Sequence, residues 1–168
     1  MEPVCELGKF LYCSFILEEK VAKAYEHLSK IFKDEPISSL FNFIAYDSFK
    51  HAICFKIMSN NLGVDICNCE EFMGKAWKDV ISHAERFLEK SEISKEEILS
   101  IINNLEKLEN FASEEYLMLI SARLIDQVSD DSIIDQENYK CFIEWVMEDE
   151  NKHKKILMMI KELLKEKS

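Results

Sequence analysis

The 168-residue chain carries 21 Lys and Arg against 32 Asp and Glu, a formal net charge of −11, with 48% hydrophobic residues and only three Gly and two Pro. So few turn residues argue against a β-sandwich or barrel, and the apolar fraction argues against low-complexity disorder. The acidic balance argues against a nucleic-acid partner, whose phosphates demand a basic face. What remains is an all-α chain forming one domain over residues 1–168, large enough to bury a core.

Apolar residues recur at i, i+3, i+4 and i+7 along the sequence, and no long alternating stretch competes. A first long helix is expected over residues 8–32, with Leu11, Phe15, Ala22, Tyr25 and Leu28 on one stripe. Lys33-Asp34-Glu35-Pro36 ends it, because proline disfavours helix in the residue before it and opens the next helix well. A second long helix follows over 37–60 on Phe41, Ile44, Ala45, Phe55 and Met58, stopped by Asn60-Asn61-Leu62-Gly63. An additional, shorter helix over 70–90 carries Phe72, Trp77, Val80, Ala84 and Phe87, with both Trp77 and Trp145 read as packing residues. Ser94 and Glu97 form a capping box that opens a third long helix to residue 127, with a break or bend at Asn103-Asn104. A polar loop over 128–134 leads to a fourth long helix over 135–165. Helices of ~35 Å bury their stripes best in a four-helix bundle. The short first connection makes helices one and two antiparallel, and the longer second connection permits a crossover.

The apolar run 10–17 follows a lone Lys9 but is flanked by Glu2, Glu6, Glu18 and Glu19, which does not suit a secretory signal. Every apolar run is shorter than the ~20 residues of a spanning helix, so a cytoplasmic, membrane-free protein is expected. The six cysteines, Cys5, Cys13, Cys54, Cys67, Cys69 and Cys141, include Cys67-Asn68-Cys69, a C-x-C rather than the C-x-x-C of a zinc ribbon. They read as small buried or loop thiols, with a disulfide left open.

Most carboxylates fall on solvated faces, but three do not. Glu18 has Leu11, Phe15, Val21, Ala22 and Tyr25 as facial neighbours. Glu115 has Leu108, Phe111, Ala112, Met118, Leu119 and Ala122, although Glu114 stands next to it. Glu150 has Ile143, Val146, Met147 and Leu157. His153 shares that last stripe, and His51 shares a face with Ile44, Phe55 and Met58, whereas His27 and His83 read as surface or rim. A carboxylate in an apolar stripe is expensive unless something pairs with it. Three on three helices, converging with two histidines, point to a cation. Glutamate oxygens and imidazole nitrogens suit iron or manganese and do not exclude zinc. The pattern approximates the di-iron bundle arrangement of one Glu from each of two helices and Glu-x-x-His from the other two. No Gly-rich phosphate loop, G-x-S-x-G or specific Cys/His pairing is present.

In this arrangement the sequence resembles the ferritin-like superfamily, nearest its rubrerythrin-type branch. Glu18 followed seven residues later by Tyr25 resembles that branch's first helix. Ile44-Ala45-Tyr46-Asp47-Ser48-Phe49-Lys50-His51-Ala52 resembles the second, usually I-A-x-x-E-x-x-H-A, and Glu150-Asn151-Lys152-His153 the fourth. Ser48 stands where the family has the second-helix Glu, and Asp47 is rotated ~100° away around the helix. No pair of C-x-x-C knuckles is present, so the rubredoxin electron-delivery module of the family is not matched. The resemblance implies a ferritin-like bundle, usually paired as a homodimer, that binds iron as two ions or one, with manganese or zinc as alternatives. It implies Glu18, His51, Glu115, Glu150 and His153 as metal ligands, with no catalytic residue distinct from them. It further implies a rubrerythrin-like peroxidase or oxidase that reduces peroxide or dioxygen with electrons from an unidentified donor. The alternatives are a non-enzymatic bundle of the same fold with a vestigial site, acting in assembly or protein interaction, and iron storage in a multi-subunit shell.

Overall fold

A computed structural model describes residues 2–121 and 136–166. The expected loop at 128–134 and the end of the third long helix lie outside the described residues. Among those described, the regular structure is entirely helical: α1 (Glu2–Ile31), α2 (Glu35–Asn61), α3 (Cys69–Met73), α4 (Lys75–Leu88), α5 (Lys95–Ser121) and α6 (Gln136–Glu166). None of these helices is long and apolar enough to cross a membrane.

Local chemistry sets the boundaries. The side chain of Asp34 accepts the Ile37 N–H at 3.2 Å as N-cap of α2, with Pro36 in the first turn, where its missing N–H is not needed. At the other end the Leu62 N–H turns back to the Met58 and Ser59 carbonyls, and Gly63 adopts φ +74°. The capping box holds in both directions, with Ser94 Oγ accepting the Glu97 N–H at 3.3 Å and Glu97 accepting the Ser94 N–H at 3.0 Å. Two expectations are corrected. The single helix over 70–90 is two pieces, because Gly74 at φ +82° separates α3 from α4 and leaves Phe72 exposed. Asn103-Asn104 does not break its helix, since α5 runs through it.

The long helices pair antiparallel. Gly8 near the start of α1 lies against Leu62 and Val64 beyond the end of α2, and Ser29 near the end of α1 bonds Asn42 early in α2. A Cβ at Gly8 would come within 2.6 Å of the Val64 side chain, so the approach there requires glycine. Glu109 meets His153 and Glu106 meets Lys161, so α5 and α6 are likewise antiparallel. Tyr25 meets Glu109 while Glu18 meets Tyr116, which sets α1 antiparallel to α5. It follows that α2 and α5 run in the same direction, and the α3–α4 segment makes the crossover that this requires. On the way α4 lies along α1, held by Lys20–Glu85 at 2.8 Å and by the His27 ring nitrogen on the Lys90 carbonyl at 2.6 Å.

Inside, Leu11, Tyr25 and Leu28 of α1 meet Phe41, Ile44 and Phe55 of α2, Ile102 and Leu105 of α5, and Ile143, Leu157 and Ile160 of α6. Burial of these stripes, roughly 1.5–3 kcal/mol per large side chain, drives the packing. Trp77 is buried as expected, but Trp145 faces outward at 60% exposure, because its neighbours Ile143 and Val146 take the inner positions of that turn. Cys13 and Cys69 form a disulfide that ties α1 to the start of α3, while Cys5, Cys54, Cys67 and Cys141 are free.

Candidate metal centre

Four of the five residues expected to ligate a metal meet at mid-height between the long helices. Glu18 of α1, His51 of α2, and Glu150 and His153 of α6 are each at most 2% exposed. Glu115 does not join them. It is half-buried, with its carboxyl pushed up by burial and then by the charge of Glu114. The α5 carboxylate in the group is Glu109, fully buried, with Leu105, Ala112 and Tyr116 on its face of the helix. Six residues separate 109 from 115, about 120° of rotation, enough to take a side chain from the centre to its margin.

The side chains form two groups that share Glu150: Glu18, His51 and Glu150, and Glu109, Glu150 and His153. In each, one nitrogen or oxygen from every member lies within 4.8 Å of the others. His51 Nδ1 is 3.7 Å from Glu18 Oε2 and 3.7 Å from Glu150 Oε1. His153 Nδ1 is 3.1 Å from Glu109 Oε2 and 3.6 Å from Glu150 Oε1. The outer nitrogens are held by aspartates: His51 Nε2 by Asp149 at 3.0 Å, and His153 Nε2 by Asp47 at 3.5 Å. Lys50 braces both, at 2.8 Å from Asp47 and 3.1 Å from Asp149, and Lys152 adds a contact to Asp149 at 2.8 Å. An imidazole that donates its Nε2 proton outward presents the Nδ1 lone pair inward, the arrangement by which second-layer carboxylates orient metal-ligating histidines. Asp47 therefore does not substitute for the missing second-helix Glu; it positions His153.

Two tyrosines complete the set. The Tyr25 hydroxyl of α1 donates to Glu109 of α5, and the Tyr116 hydroxyl of α5 donates to Glu18 of α1 at 2.5 Å. The exchange exposes an internal repeat. Glu18-x6-Tyr25 and Glu109-x6-Tyr116 share one spacing, and Asp47-Ser48-x-x-His51 matches Asp149-Glu150-x-x-His153. The two halves interlock, because each aspartate supports the other half's histidine and each tyrosine the other half's glutamate. The repeated Glu-x6-Tyr spacing was the sequence signal that would have selected Glu109. In this approximate twofold arrangement Ser48 corresponds to Glu150.

The electrostatics are strained without a cation. Burial raises Glu150 well above the ordinary carboxyl range, and the charges of Glu109 and Glu18 raise it further. Burial works against ionisation of Glu109 too, but hydrogen bonding to His153 and that residue's charge outweigh it and hold Glu109 low. Burial opposes the charge on His153, yet the hydrogen bonds of Asp47 and Glu109 prevail and lift it to about 9. Both tyrosines are pushed up by burial and, secondarily, by the carboxylates they contact, so they remain hydrogen-bond donors. Ser48 Oγ, His51 Nδ1 and Glu150 Oε1 are buried without a hydrogen-bond partner. Buried polar atoms nearly always have one, and here two of the five such atoms in the described residues, His51 Nδ1 and Glu150 Oε1, belong to one three-residue group, with Ser48 one helical turn before His51. The donor set, three carboxylates and two imidazoles with second-layer support, fits hard-to-intermediate divalent ions such as Fe, Mn or Zn.

Comparison with known proteins gives no match: neither a family model, nor a curated protein, nor a solved structure matches the chain.

Proposed function

We propose that this protein is a ferritin-like, rubrerythrin-type carboxylate protein that holds two metal ions, iron or iron with manganese, and reacts with peroxide or dioxygen. The observation that carries the reading is the pair of three-residue groups joined at Glu150, each bringing an imidazole Nδ1 and carboxylate oxygens together at one point. Glu18 and His51 would hold one ion, Glu109 and His153 the other, with Glu150 shared between them. Two such ions, when bound, supply the pair of electrons that reduces the oxidant.

The chain's own groups have separable tasks in this reading. Asp149 and Asp47 fix the tautomer and orientation of the two histidines. Tyr25 and Tyr116 restrain the terminal carboxylates Glu109 and Glu18. The surrounding Phe41, Ile44, Phe55 and Leu105 exclude water, which strengthens every charge interaction within. Ser48 places a small hydroxyl where a fourth carboxylate would stand by the internal repeat, leaving that side of the centre to an incoming oxidant.

The test is metal loading followed by turnover. Protein exposed anaerobically to Fe(II) or Mn(II) and freed of excess ion is expected to retain two ions per chain and to consume hydrogen peroxide. His51→Ala and His153→Ala should each lose an ion and the activity. Retention of metal without peroxide or dioxygen consumption would favour the non-enzymatic alternative, and absence of bound metal would remove the reading altogether.

A further inference from the structure

A second chemical site lies at the junction of α1 and α3, where three sulfurs from Cys13, Cys67 and Cys69 come together within 4.8 Å. Cys13, fully buried on α1, is bonded to Cys69, which is 6% exposed at the first position of α3. Neither half of that disulfide offers a surface to a reductant in solution. Cys67 does: it is half-buried in the segment before α3 and forms part of the wall of a surface cleft with Lys9, Asn68, Glu71 and Phe72. Its Sγ is 4.0 Å from that of Cys13. Cys67 therefore touches the buried disulfide on one side and an open cleft on the other.

We propose that Cys13, Cys67 and Cys69 form a thiol–disulfide relay in which Cys67 is the exchanging thiol that passes reducing equivalents from a small or protein-borne dithiol in the cleft to the buried Cys13–Cys69 bond. In the first step the Cys67 thiolate attacks Cys13 Sγ; the Cys67–Cys13 bond forms, the Cys13–Cys69 bond breaks, and Cys69 leaves as thiolate and takes a proton. No electron is gained or lost in that exchange. In the second step one sulfur of the external dithiol attacks Cys67, now accessible in the cleft, and Cys13 leaves as thiolate. The second sulfur of the dithiol then displaces Cys67. The products are three protein thiols and an oxidised dithiol, a two-electron transfer in total. Burial raises the Cys67 thiol, and Lys9 in the cleft wall offsets part of that rise.

The test uses the folded, oxidised full-length protein. Dithiothreitol is added without denaturant, samples are quenched with an alkylating agent, and the free thiols at Cys13 and Cys69 are counted by peptide mass spectrometry. Cys67→Ser is expected to slow reduction of the Cys13–Cys69 bond at least tenfold, whereas Cys5→Ser leaves the rate within twofold. In denaturant all three proteins should be reduced at one rate. Early samples of the unsubstituted protein should contain a Cys13–Cys67 linkage with Cys69 alkylated. A thermal melt of Cys67→Ser that matches the parent keeps the comparison between folded proteins. Equal native-state rates for the parent and Cys67→Ser, dependence on Cys5 instead, or failure of Cys13 and Cys69 to pair on oxidation would each overturn the relay.

Discussion

Glu150→Gln should affect the metal-free and metal-loaded proteins in opposite directions. The Glu150 carboxyl is buried between those of Glu18 and Glu109, and its Oε1 has no hydrogen-bond partner. Two like charges about 5 Å apart at an effective dielectric constant of about 20 repel by about 3 kcal/mol. The charge on His153 offsets part of this, which leaves a net penalty on the order of 1–3 kcal/mol, the range for a buried group poorly satisfied. The glutamine amide is neutral, nearly isosteric, and able to donate to Glu109 as the protonated acid does. Without metal at pH 7 the variant should therefore be more stable, its melting temperature higher by roughly 2–10 °C for a chain of this size. Burial and the neighbouring carboxylates raise the folded-state pKa of Glu150. Its contribution to stability is thus whole below the unfolded value of about 4.3 and is lost as pH rises through the folded value. The advantage of the variant should accordingly fade as pH approaches 4. With metal the order reverses. An ion at a hundred times its dissociation constant adds about 2.7 kcal/mol to the parent, and the variant, lacking the shared carboxylate, gains less. Differential scanning calorimetry with and without Fe(II) or Mn(II) reads all four states. A variant that melts lower without metal, or that gains as much from metal as the parent, would show that Glu150 is neither strained in the metal-free protein nor shared by the ions.

Further predictions follow from the same geometry. Glu109→Gln should reduce bound metal from two ions to one per chain by elemental analysis, whereas Glu115→Gln, at the margin of the centre, should leave the count unchanged. Asp149→Asn, which weakens the 3.0 Å support of His51, should lower metal affinity about 10–100-fold in a chelator competition; the longer 3.5 Å contact of Asp47 makes Asp47→Asn the milder change. Ser48→Glu should supply the carboxylate that the internal repeat lacks, raising metal affinity while slowing peroxide consumption by occupying the side left to the oxidant. Cys13→Ser removes a cross-link that closes a loop of 56 residues and should lower stability by up to about 4 kcal/mol in denaturant unfolding, on the chain-entropy account.

The helical class and most helix ends were legible because local signals state them outright. Asp34 before Pro36, Ser94 three residues before Glu97, and Gly63 after Leu62 each act within one turn of backbone. Most inner residues of α1 and α2 were legible from their period, although α1 also buries Leu7, Cys13 and Leu17 and leaves Phe15 half-buried. On α5 that logic failed. Its apolar residues wrap a wide arc, from Leu105 and Leu108 to Phe111 and Ala112, because the helix packs on α6 and α4 while Glu109 and Tyr116 reach across to α1. A carboxylate at either edge of such an arc has apolar neighbours, so the stripe selected Glu115, with Glu114 beside it, and passed over Glu109, which its partner tyrosine marks in the fold. Trp145 shows the converse failure, where size and hydrophobicity suggested burial but the two inner positions of its turn were already taken. Asp149 escaped notice, and Asp47 was weighed as a ligand rather than as a support, because both sit one residue beside the inward positions, on the flank of the helix where an outer nitrogen of the opposite histidine meets them. The cysteine pairing depends on where the crossover returns to α1, a distance along the chain that no local pattern encodes.

Everything proposed for this centre depends on ions occupying the two three-residue groups. Crystals of protein loaded anaerobically with Fe(II) and Mn(II), measured on both sides of the iron and manganese absorption edges, decide it. Two anomalous peaks are predicted, one among Glu18, His51 and Glu150 and the other among Glu109, Glu150 and His153, with Glu150 contacting both. Anomalous density absent from the interior, or confined to surface carboxylates, would mean that the buried groups hold no metal.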